Sequence, residues 1–291
     1  MNDPTAYLEE KQRFLEAALE RALPEPAGGC GPARRLAEAM RYAVLNGGKR
    51  IRPILCLAAA ETFGGIPERA LPPALAIELF HCSSLVHDDL PCMDDDDLRR
   101  GLPTCHVRFG EADAVLVGDA LIIRAFRILA DADDSRSARE LARATGADGV
   151  VLGQVADLAA EGTPPNPELL DFIHLHKTAV LIRAALCMGA TSAGATEAQT
   201  AAIARFGEEI GIAFQIEDDI LDETSCDETL GKPVGSDRAH EKTTYPSVHG
   251  LDGARAEVRR RTRRAFEALA PIDRDVSRLR SIAAYLADRR R

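Results

Sequence analysis

Apolar residues recur at intervals of three or four positions along almost the whole of this chain. A first stripe comprises Leu8, Leu15 and Leu19, and a second comprises Leu36, Met40, Ala43 and Val44. Further segments of this kind span about 50–63, 72–90, 112–131, 137–160, 168–194, 197–222, 252–269 and 274–290. Such spacing places apolar side chains on one face of an α-helix, and no alternating run bounded by turn residues predicts a strand. The sequence therefore predicts an all-α protein of about ten helices.

The residue composition favours a core of packed helices within one domain. Of the 291 residues, 46% are hydrophobic and 28% are charged, as in a globular protein. Only 4% are aromatic and none is Trp, so Ala, Leu, Ile and Val must fill the core. No long linker, low-complexity tract or fixed-period repeat divides the chain. We therefore expect a single domain over residues 1–291.

The charge and the cysteines limit the partners and the compartment that we expect. With 46 acidic and 36 basic residues the net charge is −10, which argues against binding to nucleic acid or anionic membranes. No run of 18 apolar residues predicts insertion into a membrane. The amino terminus lacks the pattern of a secretory signal, and the seven cysteines contain no C-x-x-C pair. These features predict reduced thiols and a cytoplasmic protein.

A first acidic motif runs from Asp88 to Asp97, where six of ten residues are aspartates. A solvated acidic loop is the plain alternative, but the preceding segment LAIELFHCSSLVH is apolar enough to be buried. Carboxylates there need cations to stay ionised, and oxygen ligands suit Mg²⁺ better than zinc or copper. Asp88 and Asp94 are about 240° apart on an ideal helix, and Pro91 can break the helix between them. We expect a distorted helix end that brings Asp94 back beside Asp88.

A second acidic motif lies in the segment GIAFQIEDDILD. Asp218 and Asp222 are four residues apart, so on a helix their side chains share a face. Gln215 lies one turn before Asp218. An exposed acidic face usually includes lysine or arginine, but none occurs between Arg205 and Lys232. This pattern favours a second group of metal ligands over a solvated helix face.

Basic residues complete a set of groups that suits a multiply charged anion. They are Lys49, Arg50 and Arg52 in GGKRIRP, Arg99 and Arg100 after the first acidic motif, and Lys177, Lys232 and Lys242. Singly, each is more often a solvated surface charge. Together with two acidic motifs they indicate a diphosphate that bridges protein cations and Mg²⁺. The chain contains neither a P-loop motif nor G-x-G-x-x-G.

These segments identify a family resemblance over about residues 5–285. The string HCSSLVHDDLPCMDDDDLRRGLPTCHVRFGEADAVLVGDAL, with FQIEDDILD, NGGKRIRP and HKT, strongly resembles the trans-prenyl diphosphate synthases. It is most similar to the bacterial farnesyl diphosphate synthases and the related geranylgeranyl enzymes. The five residues between Asp88 and Asp94 match the family's variant with two inserted residues.

The resemblance implies a fold, a cofactor and a set of site residues. It implies helices around a deep central cavity, with an acidic motif on each of two facing walls, in a homodimer. It also implies three Mg²⁺ ions per active site, which Mn²⁺ can replace. The implied metal ligands are Asp88, Asp89, Asp94, Asp218, Asp219 and Asp222. The implied ligands of the allylic diphosphate are Arg99, Lys177, Lys232 and Lys242. The implied ligands of isopentenyl diphosphate are Gly48, Lys49, Arg52, His81 and Arg100. The resemblance also implies that Thr178 and Gln215 lie near the carbocation that forms when the allylic diphosphate leaves.

The implied reaction joins isopentenyl diphosphate head-to-tail to dimethylallyl or geranyl diphosphate, giving farnesyl diphosphate. A class I terpene cyclase is one alternative, although cyclases usually carry an N/D-x-x-S/T-x-x-x-E motif in place of the second aspartate motif. A non-catalytic partner subunit is another, although such subunits tend to lose one aspartate motif or the lysines. The expected catalytic set is Asp88, Asp94, Lys177, Thr178, Gln215 and Asp218.

The length of the product depends on residues just before the first acidic motif. Enzymes with a C15 product usually carry an aromatic residue five positions before the first aspartate, whereas this chain has Ser83 followed by Ser84. Phe80 lies one helical turn, or about 5.4 Å, deeper and is the natural replacement floor of the cavity. A bulky residue from another helix or from a partner subunit is the alternative floor. We expect farnesyl diphosphate to be elongated once more to geranylgeranyl diphosphate.

Overall fold

The structure is a computed structural model that describes residues 3–26, 31–224 and 242–288. Lys232, assigned above to the allylic diphosphate, lies outside the described residues. The described helices are α1 (Thr5–Ala22), α2 (Gly31–Leu45), α3 (Ile51–Thr62), α4 (Pro67–Asp88), α5 (Cys105–Phe109), α6 (Glu111–Asp131), α7 (Ser135–Thr145), α8 (Val150–Ala160), α9 (Pro167–Ile173), α10 (Val180–Ser192), α11 (Glu197–Thr224), α12 (Tyr245–Ala268) and α13 (Ser277–Leu286). A π-helical turn, His174–Ala179, joins α9 to α10. The predicted all-α class is confirmed.

Three details differ from the sequence-based expectation. The segment 137–160 forms two helices, because Gly149 folds the chain so close to α7 that a Cβ there would lie 2.0 Å from the Ala144 oxygen. A minimal antiparallel hairpin pairs β1 (Leu98–Arg99) with β2 (Leu102–Pro103), and strands this short carry no periodic signal. Leu36 is 39% exposed, so the buried stripe of α2 starts at Ala37 rather than at Leu36.

The core is built around α3 and α10, whose side chains are buried on nearly all sides. Ile54, Leu55 and Leu57 on α3 have no exposed surface, and α10 packs directly against this helix. Gly189 permits the close approach, since a Cβ there would lie 1.9 Å from the Cys56 carbonyl oxygen. The longer helix α4 packs against both members of this pair, α11 packs against α10, and α6 packs against α4. No helix in the described ranges is both long and apolar enough to cross a membrane.

A second, smaller apolar cluster fixes the carboxyl-terminal side of the molecule. Ile212, Ile216 and Ile220 project from successive turns of α11 and pack with Tyr245 and Val258 of α12. The same cluster includes residues of α9 and of the π-helical turn. Burial of this face of α11 sets the rotation of the helix, and so decides which of its acidic residues are available to a ligand.

Candidate active site

The first acidic motif lies where α4 ends. Asp88 is the last residue of the helix, and its carbonyl oxygen accepts a 2.8 Å hydrogen bond from the backbone N–H of Asp94. The backbone N–H of Asp95 donates to the Leu90 carbonyl oxygen at 3.1 Å, and Asp95 itself has a φ of 52°. This tight turn returns the chain to the helix end. The expected distortion that brings Asp94 beside Asp88 is therefore present.

The carboxylates of this motif differ in their surroundings. Burial raises the pKa of Asp88 to about 6, opposed by Lys177 and reinforced by Asp94. Asp89 is buried and accepts a 2.6 Å hydrogen bond from Arg99 Nε, while Arg99 also donates to Asp96 at 2.8 Å. Asp89 and Arg99 thus form an internal pair that holds the segment after the helix. Asp88 is the group whose ionisation most needs further positive charge.

Two of the predicted lysines meet beside the first acidic motif. Lys242 Nζ lies 3.1 Å from Asp94, 3.4 Å from Asp157 and 3.7 Å from Glu161. Lys177 donates a hydrogen bond to the same oxygen of Asp157. Burial opposes the ionisation of Asp157, but Lys177 and Lys242 outweigh it and lower the pKa of this carboxyl. Asp157 therefore remains ionised and holds both ammonium groups near Asp94.

Asp157 was not among the predicted site residues, although a local signal marks it. It lies in the segment Gly153-Gln154-Val155-Ala156-Asp157 of α8. A Cβ at Gly153 would lie 2.3 Å from the backbone nitrogen of Lys177, so only glycine permits α8 to approach the π-helical turn this closely. A glycine inside a helix, one turn before a carboxylate, is the pattern that identifies such an approach.

A hydrogen-bonded chain joins the π-helical turn to the second acidic motif. Thr178 Oγ1 donates to Gln215 Oε1 at 2.6 Å, and Gln215 Nε2 donates to Asp219 Oδ1 at 3.0 Å. The other oxygen of Asp219 accepts from the Tyr245 N–H at 2.8 Å and lies 3.3 Å from His174 Nε2. Both oxygens of Asp219 are thus engaged by protein groups. This arrangement favours a supporting position for Asp219 rather than the direct contact with a metal that the resemblance implied.

Asp218 and Asp222 follow on the same helix, α11, one turn apart. Asp222 is buried and Asp218 is half-buried, so both belong to the inner part of the molecule. Within the described ranges, no three acidic, imidazole or thiol groups converge as a ready-made metal site. The oxygen donors instead lie in separate groups. A bound diphosphate would supply further oxygen ligands and so complete the coordination of a metal held by one of these groups.

The segment GGKRIRP forms a second group of cations between α2 and α3. Arg52 Nη1 lies 3.2 Å from His81 Nε2 on α4, and Arg100 donates to Asn46 Oδ1 at 2.8 Å and to the Gly47 carbonyl oxygen. Gly48 has a φ of 125°, and a Cβ there would lie 2.6 Å from the Arg100 guanidinium. The structure thus brings together Gly48, Arg52, His81 and Arg100, with Lys49 exposed in the same loop.

The electrostatic surroundings of this second group keep its histidine neutral. Burial, followed by the neighbouring charge of Arg52, holds the pKa of His81 well below its usual value of about 6.5. A neutral imidazole beside several guanidinium groups leaves the positive charge on the arginines. The group suits a second anion, separate from the lysines that Asp157 holds.

The residues proposed to set product length lie on α4, on either side of His81 in the sequence. Phe80 is 5% exposed and Ser83 is 1% exposed, and Ser83 Oγ donates to the Phe80 carbonyl oxygen at 2.6 Å. Ser84 Oγ donates to the His81 carbonyl oxygen at 3.0 Å. A cavity of about 100 Å³ opens beside Lys177 and Gln215, and its lining does not include Phe80, Ser83 or Ser84. The role of these three residues stays a prediction.

Comparison with known proteins agrees with this geometry. The family model described as polyprenyl synthetase matches residues 33–283. The chain is 44% identical to the large subunit 1 of a heterodimeric geranylgeranyl pyrophosphate synthase, chloroplastic, from Arabidopsis thaliana, covering 99% of this chain and 80% of that protein. It is also 44% identical to a chloroplastic geranylgeranyl pyrophosphate synthase from Catharanthus roseus, covering 99% and 82%.

Solved structures show the same likeness in three dimensions. An FPP/GFPP synthase from Zymomonas mobilis superposes with a TM-score of 0.85 and 36% identity, covering 97% of this chain and 98% of the other. A geranyltransferase from Helicobacter pylori, complexed with magnesium and isoprenyl diphosphate, gives 0.84 and 32% identity, covering 98% and 97%. The chain belongs to the polyprenyl synthetase family and is a short-chain prenyl diphosphate synthase, an enzyme that joins prenyl groups head-to-tail.

Proposed function

We propose that this chain condenses isopentenyl diphosphate with dimethylallyl and then geranyl diphosphate, and extends the resulting farnesyl diphosphate once more to geranylgeranyl diphosphate. The observation that carries the proposal is the meeting of Lys177, Lys242 and Asp157 with Asp94 at the end of α4. A substrate that bears several negative charges is the ligand that suits lysines and metal-binding carboxylates side by side. The separate cation group around Arg52 serves the second diphosphate.

The donor set fits magnesium rather than a softer metal. Asp88 and Asp94 lie at one helix end, and Asp218 and Asp222 supply further carboxylate oxygens from α11. We propose these four as the direct ligands of three Mg²⁺ ions, which Mn²⁺ can replace. Asp89 and Asp219, which the resemblance also implied as ligands, would support them through Arg99 and Gln215. The ions supply positive charge that stabilises the departing diphosphate.

The allylic diphosphate would bind to Arg99, Lys177 and Lys242, with Lys232 completing the set. Asp157 holds the two described lysines in place, so their charge is already arranged where the diphosphate leaves. Breaking the allylic C–O bond puts negative charge on this diphosphate and positive charge on the prenyl group. The oxygen dipoles of Thr178 and Gln215, fixed by their mutual hydrogen bond, would face the cation.

Isopentenyl diphosphate would bind through Gly48, Lys49, Arg52, His81 and Arg100. Its double bond then attacks C1 of the allylic cation, and one new carbon–carbon bond forms. The resulting tertiary cation loses a proton, which the released diphosphate accepts, since no described side chain is placed convincingly as a base. Each cycle thus consumes one isopentenyl diphosphate and releases one diphosphate and one proton. Exclusion of water is essential because water would otherwise trap the cation.

We propose that the chain forms a homodimer through α6 and α8. Leu116 and Ile123 on α6 are 58% and 68% exposed, and Val151 and Val155 on α8 are 53% and 59% exposed. Seven- and four-residue spacing places each pair on one helix face. Large aliphatic side chains left in water on these two helices support an interface with another subunit. The Arabidopsis relative is named as part of a heterodimer, so the oligomeric state of this chain alone needs to be measured.

We propose that the protein works in the cytoplasm. The support is the state of its thiols: Cys56, Cys82, Cys105 and Cys187 are buried and unbridged, and Cys92 is exposed and unbridged. Unbridged cysteines are typical of a reducing compartment. Two relatives are named as chloroplastic, and a plastid is also reducing, so fractionation of the source cells decides between the two.

Incubation with Mg²⁺, dimethylallyl diphosphate and labelled isopentenyl diphosphate tests the proposed function. We expect labelled C15 and C20 products that enter an organic solvent only after a phosphatase has removed the diphosphate. Addition of EDTA should abolish their formation. No labelled product from the homogeneous protein would indicate a cyclase or a non-catalytic subunit. Hydrocarbon formed from added farnesyl or geranylgeranyl diphosphate, without phosphatase treatment, would then identify the cyclase.

A further inference from the structure

Arg50 differs from the other cations of the segment GGKRIRP because it points into the protein. Its side chain has no exposed surface, whereas Lys49 immediately before it is exposed. Arg50 has a φ of 50° and a ψ of 36°, a left-handed conformation that residues other than glycine seldom adopt. It occupies the position immediately before α3, between Lys49 and Arg52. The surrounding protein must hold this conformation in place.

The guanidinium of Arg50 joins three helices. Its Nε donates to Glu16 Oε1 of α1 at 2.7 Å, and its Nη1 donates to Glu78 Oε1 of α4 at 2.7 Å. Its Nη2 donates to the carbonyl oxygen of Val44 in the last turn of α2. Nη1 also lies 3.9 Å from Cys82 Sγ. All three guanidinium nitrogens of Arg50 therefore have partners, and together these contacts fix the loop against α1, α2 and α4.

The contacts with α4 fix the position of the segment GGKRIRP along the axis of that helix. Glu78, the partner of Arg50, lies one turn before His81, the partner of Arg52. Two arginines of the loop thus contact neighbouring turns of the same helix face. Helix α1 adds a third point, since Gln12 Nε2 donates to the Gly48 carbonyl oxygen at 2.7 Å.

A gain in folding stability does not explain the buried ion pair between Arg50 and Glu78. A buried ion pair usually stabilises a protein no more than apolar residues of the same volume, because two charges must lose their water. Within the described residues, Glu78 Oε2 has no hydrogen-bond partner, so part of that loss is uncompensated. What the fork does provide is a fixed geometry for the backbone between Gly48 and Arg52.

We propose that Arg50 is a positioning residue for isopentenyl diphosphate, and that Glu16 and Glu78 are its anchors. By holding the left-handed turn against α1 and α4, it places Lys49 and Arg52 where both reach the same diphosphate. Arg50 itself does not touch the substrate. This inference rests on the proposed binding of isopentenyl diphosphate to the loop.

The test compares the two substrates in the Arg50→Met variant, which keeps length and removes the fork. We expect the KM for isopentenyl diphosphate to rise at least tenfold, while the KM for the allylic substrate changes less than twofold. Arg50→Lys should recover part of the loss. Arg34→Met is the matched control, because Arg34 is exposed and, among the described residues, forms its ion pair with Glu38 of its own helix. It should leave both constants unchanged.

A second variant covers the case in which Arg50→Met does not fold. Glu16 is 32% exposed, so Glu16→Gln should fold and should raise the KM for isopentenyl diphosphate about threefold, with the allylic KM unchanged. Circular dichroism melting identifies the folded variants. An unchanged KM for isopentenyl diphosphate in a folded variant, or an equal rise for both substrates, would overturn the inference. Inactive wild-type protein would instead overturn the proposed function, so the two failures are distinct.

Discussion

At the scale of single residues, the carboxylates of the two acidic motifs differ in their surroundings. Burial raises the pKa of Asp88, so its ionisation needs added positive charge. Asp89 already accepts a hydrogen bond from Arg99, and Asp219 accepts hydrogen bonds from Gln215 and the Tyr245 N–H. We therefore propose that each motif contains both direct metal ligands and supporting carboxylates. The aspartate pattern alone does not separate them, because the distinction depends on which way each side chain points.

Removal of a direct ligand should greatly slow the reaction. Asp88→Ala and Asp218→Ala should each lower kcat at least about a hundredfold, because about 2.7 kcal/mol of charge stabilisation corresponds to that factor. Asp97→Ala is the control, since Asp97 is an exposed aspartate of the same motif, and it should keep most of the activity. Steady-state kinetics at saturating Mg²⁺ measure the effect. Full activity in either ligand variant would contradict the assignment.

Asp157 should affect the allylic side of the reaction. Asp157→Asn removes the charge that holds Lys177 and Lys242, so we expect kcat to fall about tenfold or more, a loss of about 1.4 kcal/mol in the transition state. The KM for isopentenyl diphosphate should stay near the wild-type value. Glu161→Gln serves as the control, since Glu161 lies farther from Lys242, at 3.7 Å. A wild-type kcat in Asp157→Asn would show that the lysines need no such support.

His81 should remain neutral wherever the enzyme is active. Because burial and Arg52 lower its pKa, the folded protein binds fewer protons here than the unfolded chain at acidic pH. Stability linked to His81 is therefore present above about pH 6.5 and falls as the pH drops below it. An NMR titration should show no protonation of His81 between pH 8 and 6.5. Arg52→Met should raise this pKa toward the usual value without reaching it, because burial is the larger cause. Protonation of His81 in the wild-type protein between pH 8 and 6.5 would contradict the prediction.

At the scale of helices, α4 connects the substrate sites with the residues proposed to limit the product. From Phe80 to Asp88 it carries the proposed floor, His81 and the first proposed metal ligand along about two turns. If Phe80 is the floor, a change in side-chain volume here should alter the depth available to the prenyl chain rather than the binding of the diphosphates.

Substitutions on α4 should change the length of the product. Ser83→Tyr should stop elongation at C15, because an aromatic ring replaces a hydroxymethyl group one isoprene unit above Phe80. Phe80→Ala should lengthen the product beyond C20. Chromatography of the dephosphorylated products, with isopentenyl diphosphate in excess, gives the distribution. If the wild-type enzyme stops cleanly at C15, Ser83 does not set the depth and another residue forms the floor.

The spacing of apolar residues predicts most of the helices, and the sequence motifs predict only part of the candidate site. Spacing of apolar residues locates α4, α6 and α11 close to their observed bounds, and Pro91 indicates the turn after Asp88. The break between α7 and α8 was missed, because Gly149 acts through a contact with the preceding helix. Asp157 was missed although Gly153, one turn earlier, marks the close approach of α8 to the π-helical turn. The two lysines that Asp157 holds are distant in sequence, so the local signal does not show what the carboxylate contacts.

At the scale of the whole molecule, the chain leaves aliphatic side chains exposed on α6 and α8. Leu116→Asp together with Ile123→Asp should convert the proposed dimer into monomers, because charged residues oppose burial of this face. Light scattering at micromolar concentration measures the mass. Leu98→Asp is the control, since Leu98 is also exposed but lies on the hairpin β1–β2. A monomeric wild-type protein would contradict the proposed interface.

Two cation groups around separate carboxylates suit the coupling of two diphosphate substrates. We propose that the group held by Asp157 binds the diphosphate that leaves, and that the group held by α1 and α4 binds the diphosphate that stays. Head-to-tail condensation requires both at once, because the cation made at the first must meet the double bond held at the second.

The ratio of diphosphate released to isoprene units incorporated tests this account most directly. With dimethylallyl diphosphate, labelled isopentenyl diphosphate and Mg²⁺, we predict one diphosphate for each labelled unit joined to the chain, throughout the time course. Omission of isopentenyl diphosphate should nearly stop the release. Diphosphate released in clear excess over incorporated label, or released at an equal rate without isopentenyl diphosphate, would contradict head-to-tail condensation as the reaction of this site.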